Sequence, residues 1–166
     1  MAFEDETGYT LHPRLGMGWA KRGQRLRIPT TSQHRTRLNI FGWVAPLLGR
    51  TGLIRHPQGN REGFVLCLRD ICRKLRGYKI WLYVDAAGWH KGEEVAAFLK
   101  KQRRLVLDYL PRYQPSLNPQ ERIWRQARRE STTNRWFATL DETWIAVHRT
   151  IFSWTPAKIS QLCNIT

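Results

Sequence analysis

Residues 79–90 read KIWLYVDAAGWH, a nearly continuous apolar run that ends in an aspartate. Runs of this kind are typical of central strands that are covered on both faces. An aspartate that closes such a strand is costly to bury unless it is paired, hydrogen-bonded or bound to a metal ion. Asp85 is therefore the first candidate for a functional residue, and the structural alternative is an aspartate that stabilises its own turn.

The segments around this strand predict the rest of the sheet. Three β-rich segments precede it, at residues 2–9, 37–45 and 51–56, with turn-forming residues between them. Apolar residues at helical spacing predict helices at 64–75, 93–101, 119–129 and 140–152, with a short strand at 105–110 and a break at Pro156. The sequence thus predicts an α/β fold in which a mixed five-stranded sheet, three antiparallel strands and then two parallel ones, is flanked by helices.

Charge points to the class of partner. The 166 residues include 28 Lys and Arg against 13 Asp and Glu, a net charge of +15 that is typical of proteins that bind nucleic acid. The basic residues are spread along the chain, which disfavours an amphipathic membrane helix, and the longest apolar stretch is too short and broken to span a bilayer. We expect one compact domain over residues 1–166, located in the cytoplasm.

Two further carboxylates are candidates for the same site. On a strand, Asp5 points to one face while Glu4 and Glu6 point to the other, although a solvated residue near the chain start is the plain alternative for Asp5. Glu121 follows Asn118 by three residues, a pattern that a helix-capping pair also explains. Clustered carboxylates repel one another unless a cation lies among them, and oxygen ligands favour Mg²⁺ or Mn²⁺. Two such ions about 4 Å apart can promote cleavage and joining of phosphodiesters.

Three motifs together resemble the DDE transposases of bacterial insertion sequences related to mariner elements. They are FEDE at residues 3–6 with WAKRG at 19–23, VDAAGWHK at 84–91, and LPRYQPSLNPQERIW at 110–124. Thirty-five residues separate Asp85 from Glu121, which is similar to the family's interval between its second and third acidic ligands. The resemblance is clear as far as Trp124 and weak beyond it.

The resemblance implies a ribonuclease H-like fold in which Asp5, Asp85 and Glu121 are catalytic and hold two Mg²⁺ or Mn²⁺ ions. It implies hydrolysis of DNA at transposon ends and joining of the freed 3′-hydroxyl to target DNA, typically at a TA dinucleotide. Such an enzyme would work at the bacterial nucleoid, with a homodimer as one candidate assembly. The helix-turn-helix region expected before the first strand is missing from this sequence, and we expect an upstream segment to encode it.

Two positions depart from the family pattern. Ala86 stands where the family usually has Asn after the second aspartate, and Arg112 replaces the commoner second proline. Loss of the Asn side chain removes a hydrogen bond that can support a metal ligand. Two alternatives therefore stay open: a ribonuclease H-like nuclease or resolvase without strand transfer, and an inactive DNA-binding remnant.

Residues close to the carboxylates complete the candidate site. His90 and Asn118 are secondary candidates, His90 for orienting a ligand or substrate, with a structural turn histidine as the alternative. The predicted DNA contacts are Lys91, Arg122, Trp124, Arg125 and Arg128, because cations suit phosphate and an aromatic ring can stack on a base.

Overall fold

A computed structural model describes residues 1–32, 36–112 and 114–164. Its five strands are β1 (Ala2–Thr10), β2 (Arg37–Ala45), β3 (Arg50–His56), β4 (Ile80–Val84) and β5 (Leu105–Tyr109), and its helices are α1 (Arg61–Lys74), α2 (Glu93–Lys101), α3 (Pro119–Ser131), α4 (Leu140–Phe152) and α5 (Pro156–Leu162). The strands form one sheet in the order β3-β2-β1-β4-β5. The pairs among β1, β2 and β3 are antiparallel, and β4 pairs in parallel with β1 and β5. The predicted mixed sheet is confirmed.

The helices cover the sheet on both faces. Helices α1 and α2 pack on one face, where Phe64 and Leu68 of α1 meet Phe41, Trp43 and Leu82 of the sheet. Helices α3, α4 and α5 pack on the other face, and their buried residues there are Ile123, Trp124, Ala127, Val147, Ile151 and Ile159. Because side chains alternate along a strand, β1 sends its even-numbered residues toward α1 and its odd-numbered residues toward α3.

Side-chain caps set the starts of the helices, and two of these starts differ from the sequence prediction. Asn60 accepts a hydrogen bond from the backbone N–H of Gly63, so α1 begins at Arg61, three residues before the predicted start. The predicted break at Pro156 separates α4 from α5, a helix that was not predicted. Thr155 caps α5, and a proline fits the first helical position because its missing N–H would have no partner there. Among the described residues, no helix is long and apolar enough to cross a membrane.

Gly42 decides how closely α3 approaches the sheet. This residue of β2 pairs directly with Asp5 of β1, and a Cβ atom placed on it would lie 2.3 Å from the Trp124 ring. The absent side chain therefore lets the Trp124 ring lie against the backbone of β2. Helix α3, which carries Glu121, is held close to Asp5 by this contact.

We expect Gly42→Ala to lower the free energy of unfolding by about 1–3 kcal/mol, since the added methyl group overpacks a rigid contact. Urea denaturation followed by circular dichroism measures the change. Gly59→Ala is the matched control because a Cβ there meets nothing within 4 Å. A Gly42→Ala protein as stable as the control would contradict this account of α3 packing.

Candidate active site

The three predicted carboxylates line one open cavity of about 380 Å³, together with Ala86, Arg112 and Asn118. Asp5 comes from β1, Asp85 from the residue after β4, and Glu121 from the first turn of α3. Phe3 pairs with Tyr83 in the parallel pair of β1 and β4, and Asp5 and Asp85 each follow two residues later in the chain. The two aspartates therefore lie side by side. The cavity thus forms where the carboxyl ends of β4 and β5 meet the start of α3, the usual position for a ligand in such sheets.

Asp5 shows most clearly that the cavity suits a cation. It is partly buried, and its Oδ2 atom is inaccessible to solvent without any hydrogen-bond partner among the described residues. Burial raises the pKa of Asp5 from its ordinary value near 3.8 to about 8, and the negative charges of Glu121, Glu6 and Asp85 add to the rise. A carboxylate that faces like charges in a buried position is stabilised by a cation.

Asp85 is held by its own turn. Its Oδ1 atom accepts a hydrogen bond of 2.9 Å from the backbone N–H of Ala87 and lies 3.0 Å from Nδ1 of His90. The turn-stabilising alternative is therefore correct for one oxygen of this carboxylate. Neither of these contacts uses Oδ2, so Asp85 can serve the turn through one oxygen and a ligand through the other.

Glu121 is left free by the cap beside it. The Asn118 side chain accepts a hydrogen bond from Gln120 N–H at 3.0 Å, while its amide donates to the backbone oxygen of Glu4 at 2.8 Å. The backbone N–H of Asn118 bonds to Pro115, so the return bond of a capping box is not made. Asn118 thus ties the start of α3 to β1, and the exposed Glu121 side chain lines the cavity.

The donor set fits divalent metal ions. Three carboxylates converge on one cavity, at least one oxygen atom lacks a partner, and the ligand atoms are all oxygen. Hard cations such as Mg²⁺ and Mn²⁺ prefer this chemistry. A bound cation would also relieve the repulsion that raises the pKa of Asp5.

The raised pKa of Asp5 predicts how the metal-free protein responds to pH. Its pKa is about 8 in the folded state against about 3.8 when unfolded, so between these values the folded state holds the extra proton. The contribution of Asp5 to stability is therefore lost as pH rises from about 4 to 8, and a pKa difference of this size corresponds to several kcal/mol.

We expect Asp5→Asn to be more stable than the wild type in EDTA at pH 8, with a gap that shrinks toward pH 4. Asn cannot ionise, which removes the repulsion and the desolvation of a charge at this position. Thermal melts across this pH range measure the gap. A gap that is constant with pH, or that widens toward pH 4, would show that Asp5 is not the group that titrates.

A second polar cluster lies behind the cavity, on the α1 face of β1. It consists of Glu4, Glu6 and His90, whose ligand atoms lie within 4.8 Å of one another. Glu6 Oε1 is 3.1 Å from His90 Nε2 and also accepts a hydrogen bond from the Trp89 indole. Phe64 packs against the imidazole with ring centroids 4.4 Å apart. The contact between Glu6 and His90 was not predicted from the sequence, although the alternation along β1 places Glu6 on this face.

The four cations among the predicted DNA contacts divide into two groups. Lys91 and Arg125 are exposed, and the Lys91 ammonium lies 5.0 Å from the centre of the Tyr109 ring. Arg122 donates to the backbone oxygen of Cys163, while Arg128 donates to Thr7 and Gly8. These two arginines are partly committed to the fold.

Trp124 is 2% exposed and belongs to the core, which corrects the expectation that it stacks on DNA. Two exposed cations near the site were not among the predicted DNA contacts. Arg112 lines the cavity, and Arg129 follows Arg125 by one turn on the open side of α3. Exposed residues of α3 recur at Glu121, Arg125 and Arg129, so one helical stripe carries a candidate ligand and two cations.

Comparisons with known proteins identify the family of this chain. A family model described as DDE superfamily endonuclease matches residues 1–143. The insertion element IS630 uncharacterized 39 kDa protein of Shigella sonnei is 29% identical over 136 residues, which cover 80% of this chain and 38% of that protein. The uncharacterized protein y4pE/y4sA of Sinorhizobium fredii is 34% identical over 104 residues, covering 62% of this chain and 74% of that protein.

Solved structures share the fold at low sequence identity. The Mos1 mariner paired-end complex with Mn has a TM-score of 0.66 at 16% identity, covering 98% of this chain and 51% of that one. The catalytic domain of Mos1 mariner transposase has a TM-score of 0.64 at 12% identity, covering 98% and 74%. The ribonuclease H-like arrangement expected from the sequence is thus shared with transposase catalytic domains. This chain spans well under half the length of the IS630 protein that it matches. On the match of the family model to most of its residues, the chain belongs to the DDE superfamily endonuclease family.

Proposed function

We propose that this chain is the catalytic domain of a DNA transposase that cuts DNA at transposon ends and joins the freed 3′-hydroxyl to target DNA. The observation that carries the proposal is the convergence of Asp5, Asp85 and Glu121 on one cavity, with a buried Asp5 oxygen that lacks a partner. The family supports a DNA-cutting activity, and the Mos1 complexes supply an example of the fold acting on transposon ends.

The three carboxylates would hold two Mg²⁺ or Mn²⁺ ions. Such a pair activates the attacking water or hydroxyl and stabilises the leaving oxygen of a phosphodiester. The chain's own residues then have separate tasks. Asp5 and Asp85 are fixed by adjacent parallel strands, and Asn118 fixes the start of α3 so that Glu121 faces them. Positioning of this kind is what makes bound reactants meet in a productive geometry.

Exposed cations beside the cavity would bind the DNA backbone. Arg125 and Arg129 continue from Glu121 along the open side of α3, Arg112 lines the cavity, and Lys91 is exposed in the turn that follows Asp85. The segment between β1 and β2, described as far as residue 32, forms no helix or strand and adds exposed Lys21, Arg22, Arg25 and Arg27. Phosphate contacts of this kind position DNA without reading its sequence. Recognition of the transposon end would therefore require a further region, for which the predicted upstream helix-turn-helix is the candidate.

Ala86 does not leave Asp85 without support. The Asp85 carboxylate still accepts a hydrogen bond from the Ala87 N–H through Oδ1, and the His90 imidazole, which bonds to the Asp85 backbone oxygen, lies 3.0 Å from the same atom. Ala86 itself lines the cavity, where the usual Asn would have offered a polar group. The geometry therefore favours an active enzyme over the inactive remnant that this substitution first suggested.

The test is strand transfer by the full-length protein with DNA that carries the inverted repeats flanking its gene. We expect Mg²⁺- or Mn²⁺-dependent cleavage at the repeat ends and covalent joining of a labelled end to plasmid DNA. Cleavage without joining would favour the nuclease or resolvase alternative. DNA binding that is indifferent to the metal, with no cleavage, would favour the remnant.

Metal binding has its own expected result, independent of DNA. Millimolar Mn²⁺ should raise the melting temperature of the domain by several degrees, because a ligand that binds only the folded state stabilises it. Asp85→Asn should show a much smaller shift, since one ligand has lost its charge. Differential scanning fluorimetry measures both proteins. Equal shifts in the two, or none in the wild type, would argue against this metal site.

A further inference from the structure

The imidazole of His90 lies between one candidate metal ligand and the strand that carries another. Its Nδ1 atom is 3.0 Å from Oδ1 of Asp85, and its Nε2 atom is 3.1 Å from Oε1 of Glu6. Glu6 immediately follows Asp5 on β1 but points to the opposite face of the sheet. A chain of contacts therefore runs from β1 through Glu6 and His90 to the Asp85 carboxylate.

Packing holds this imidazole in one orientation. His90 is fully buried, and the Phe64 ring of α1 lies against it. The backbone around it is anchored as well: its carbonyl accepts a hydrogen bond of 3.2 Å from the Tyr109 hydroxyl, and the Lys91 carbonyl accepts one of 2.8 Å from Arg61. The turn after β4 is thus attached to α1, β1 and β5 at once.

The Asp85 side chain has few other restraints. It is 55% exposed, and its Oδ1 atom accepts a hydrogen bond from the Ala87 N–H. His90 Nδ1, which is hydrogen-bonded to the backbone oxygen of Asp85, also lies 3.0 Å from Oδ1. Ala86, which stands where the family usually has Asn, offers no side-chain hydrogen-bond donor to Asp85. His90 is therefore the side chain that can select the rotamer in which Oδ1 faces the turn and Oδ2 is left for the cavity. Such supporting contacts commonly change metal affinity by about 10–100-fold.

We propose that Glu6 and His90 are positioning residues that fix the Asp85 carboxylate relative to Asp5 across the sheet. This inference rests on the proposed function, in which Asp5 and Asp85 share the metal ions. Its physical content is that β1 presents Asp5 on its α3 face and anchors Asp85 through its α1 face. A movement of β1 would then carry both ligands together.

The cluster also explains why Glu4 contributes differently from Glu6. Both carboxylate oxygens of Glu4 are buried without a hydrogen-bond partner in the described part of the chain, and His90 Nε2 is 3.4 Å from Oε2. Glu6, by contrast, has two N–H partners in His90 and Trp89. Glu6 is therefore the group that holds the imidazole.

The test compares Glu6→Ala with Glu6→Gln, and His90→Ala with His90→Asn. Gln keeps an oxygen that can accept from His90 Nε2, and Asn places an amide N–H near the position of Nδ1. In the metal-free protein without DNA, we expect the amide of Ala87 to exchange its hydrogen at least about tenfold faster in both alanine variants. The Gln and Asn variants should recover most of the protection.

In the full-length enzyme, the same alanine variants should need about 10–100-fold more Mn²⁺ for half-maximal cleavage, with much of the maximal rate regained at saturating Mn²⁺. Asp70→Ala is the control for general loss of stability. Asp70 lies on α1, away from the cavity, and its buried carboxylate accepts a hydrogen bond of 3.0 Å from the Trp43 indole of β2. The Mn²⁺ requirement of Asp70→Ala should therefore stay that of the wild type.

Unchanged Ala87 exchange in both alanine variants would overturn the inference, as would an unchanged Mn²⁺ requirement. So would a rise in Mn²⁺ requirement that Asp70→Ala reproduces. The exchange measurement needs neither metal nor DNA, so it decides the positioning role even if the wild-type enzyme joins no DNA, which would count against the proposed function alone. If one alanine variant fails to fold, Ala87 exchange in the other alanine variant decides the question.

Discussion

Replacing Asp5, Asp85 or Glu121 by alanine is expected to lower metal-dependent DNA cleavage by at least about 100-fold in each case, because each carboxylate serves the same ions. The effects should not add. Residues that act as a unit lose nearly all activity at the first deletion, so a double variant should be scarcely worse than a single one. Cleavage and joining by the full-length protein, at saturating Mn²⁺ and with terminal-repeat DNA, measure both steps.

The control for this series is Glu94→Ala. Glu94 is an exposed residue in the first turn of α2, on the opposite face of the sheet from α3. Glu6, which also points away from the cavity, is unsuitable because it holds His90. Folding should survive in the three alanine variants, since removing one member of an acidic cluster relieves repulsion in the metal-free protein. An active Asp85→Ala or Glu121→Ala enzyme would refute the shared site.

The second large effect concerns salt. A protein with net charge +15 that contacts 6–10 phosphates should lose about 10³–10⁵-fold in DNA affinity between 50 and 200 mM salt, because binding releases counterions. Arg125→Ala and Arg129→Ala should each reduce the slope of log affinity against log salt by about one, since both side chains are exposed beside the cavity. Fluorescence anisotropy with a labelled duplex measures the slope.

Arg128 provides the contrast on the same helix. Its guanidinium donates to Thr7 and Gly8 and lies 4.4 Å from the centre of the Tyr9 ring. Arg128→Ala should therefore lower stability and leave the salt slope nearly unchanged. Lys100→Ala, an exposed cation on α2, is the control for loss of a charge on the other face. A slope that responds to Arg128 or Lys100 but not to Arg125 would place the DNA on a different surface.

Local sequence signals were sufficient where one segment sets its own structure. The apolar run before Asp85, the alternation in β1 and the spacing in α4 each identify an element without reference to the rest of the chain. The break at Pro156 was predicted but the helix that begins there was not, because a proline that follows one helix and a proline that begins the next are the same local signal. The Thr155 cap that distinguishes them acts only if the following residues have already turned into a helix.

Trp124 and Glu6 show where local signals are insufficient. The Trp124 ring is buried because Gly42, far away in the sequence, leaves space for it on β2. Glu6 was recognised as pointing away from Asp5, but its partner His90 comes from a turn more than eighty residues later. Neither partner can be read from the residue's own neighbourhood.

By itself, the sequence determined the mixed sheet, its flanking helices and the cationic character of the protein, because periodicity, strand ends and charge are properties of single segments. The three candidate carboxylates were identified as a set through the motifs that resemble the DDE transposases. Only the tertiary structure decided which cations stay exposed beside the cavity, which oxygen of Asp5 lacks a partner and how His90 connects β1 to Asp85. These features depend on which segments the sheet brings together, since burial and hydrogen bonding arise from contacts between residues distant in the chain.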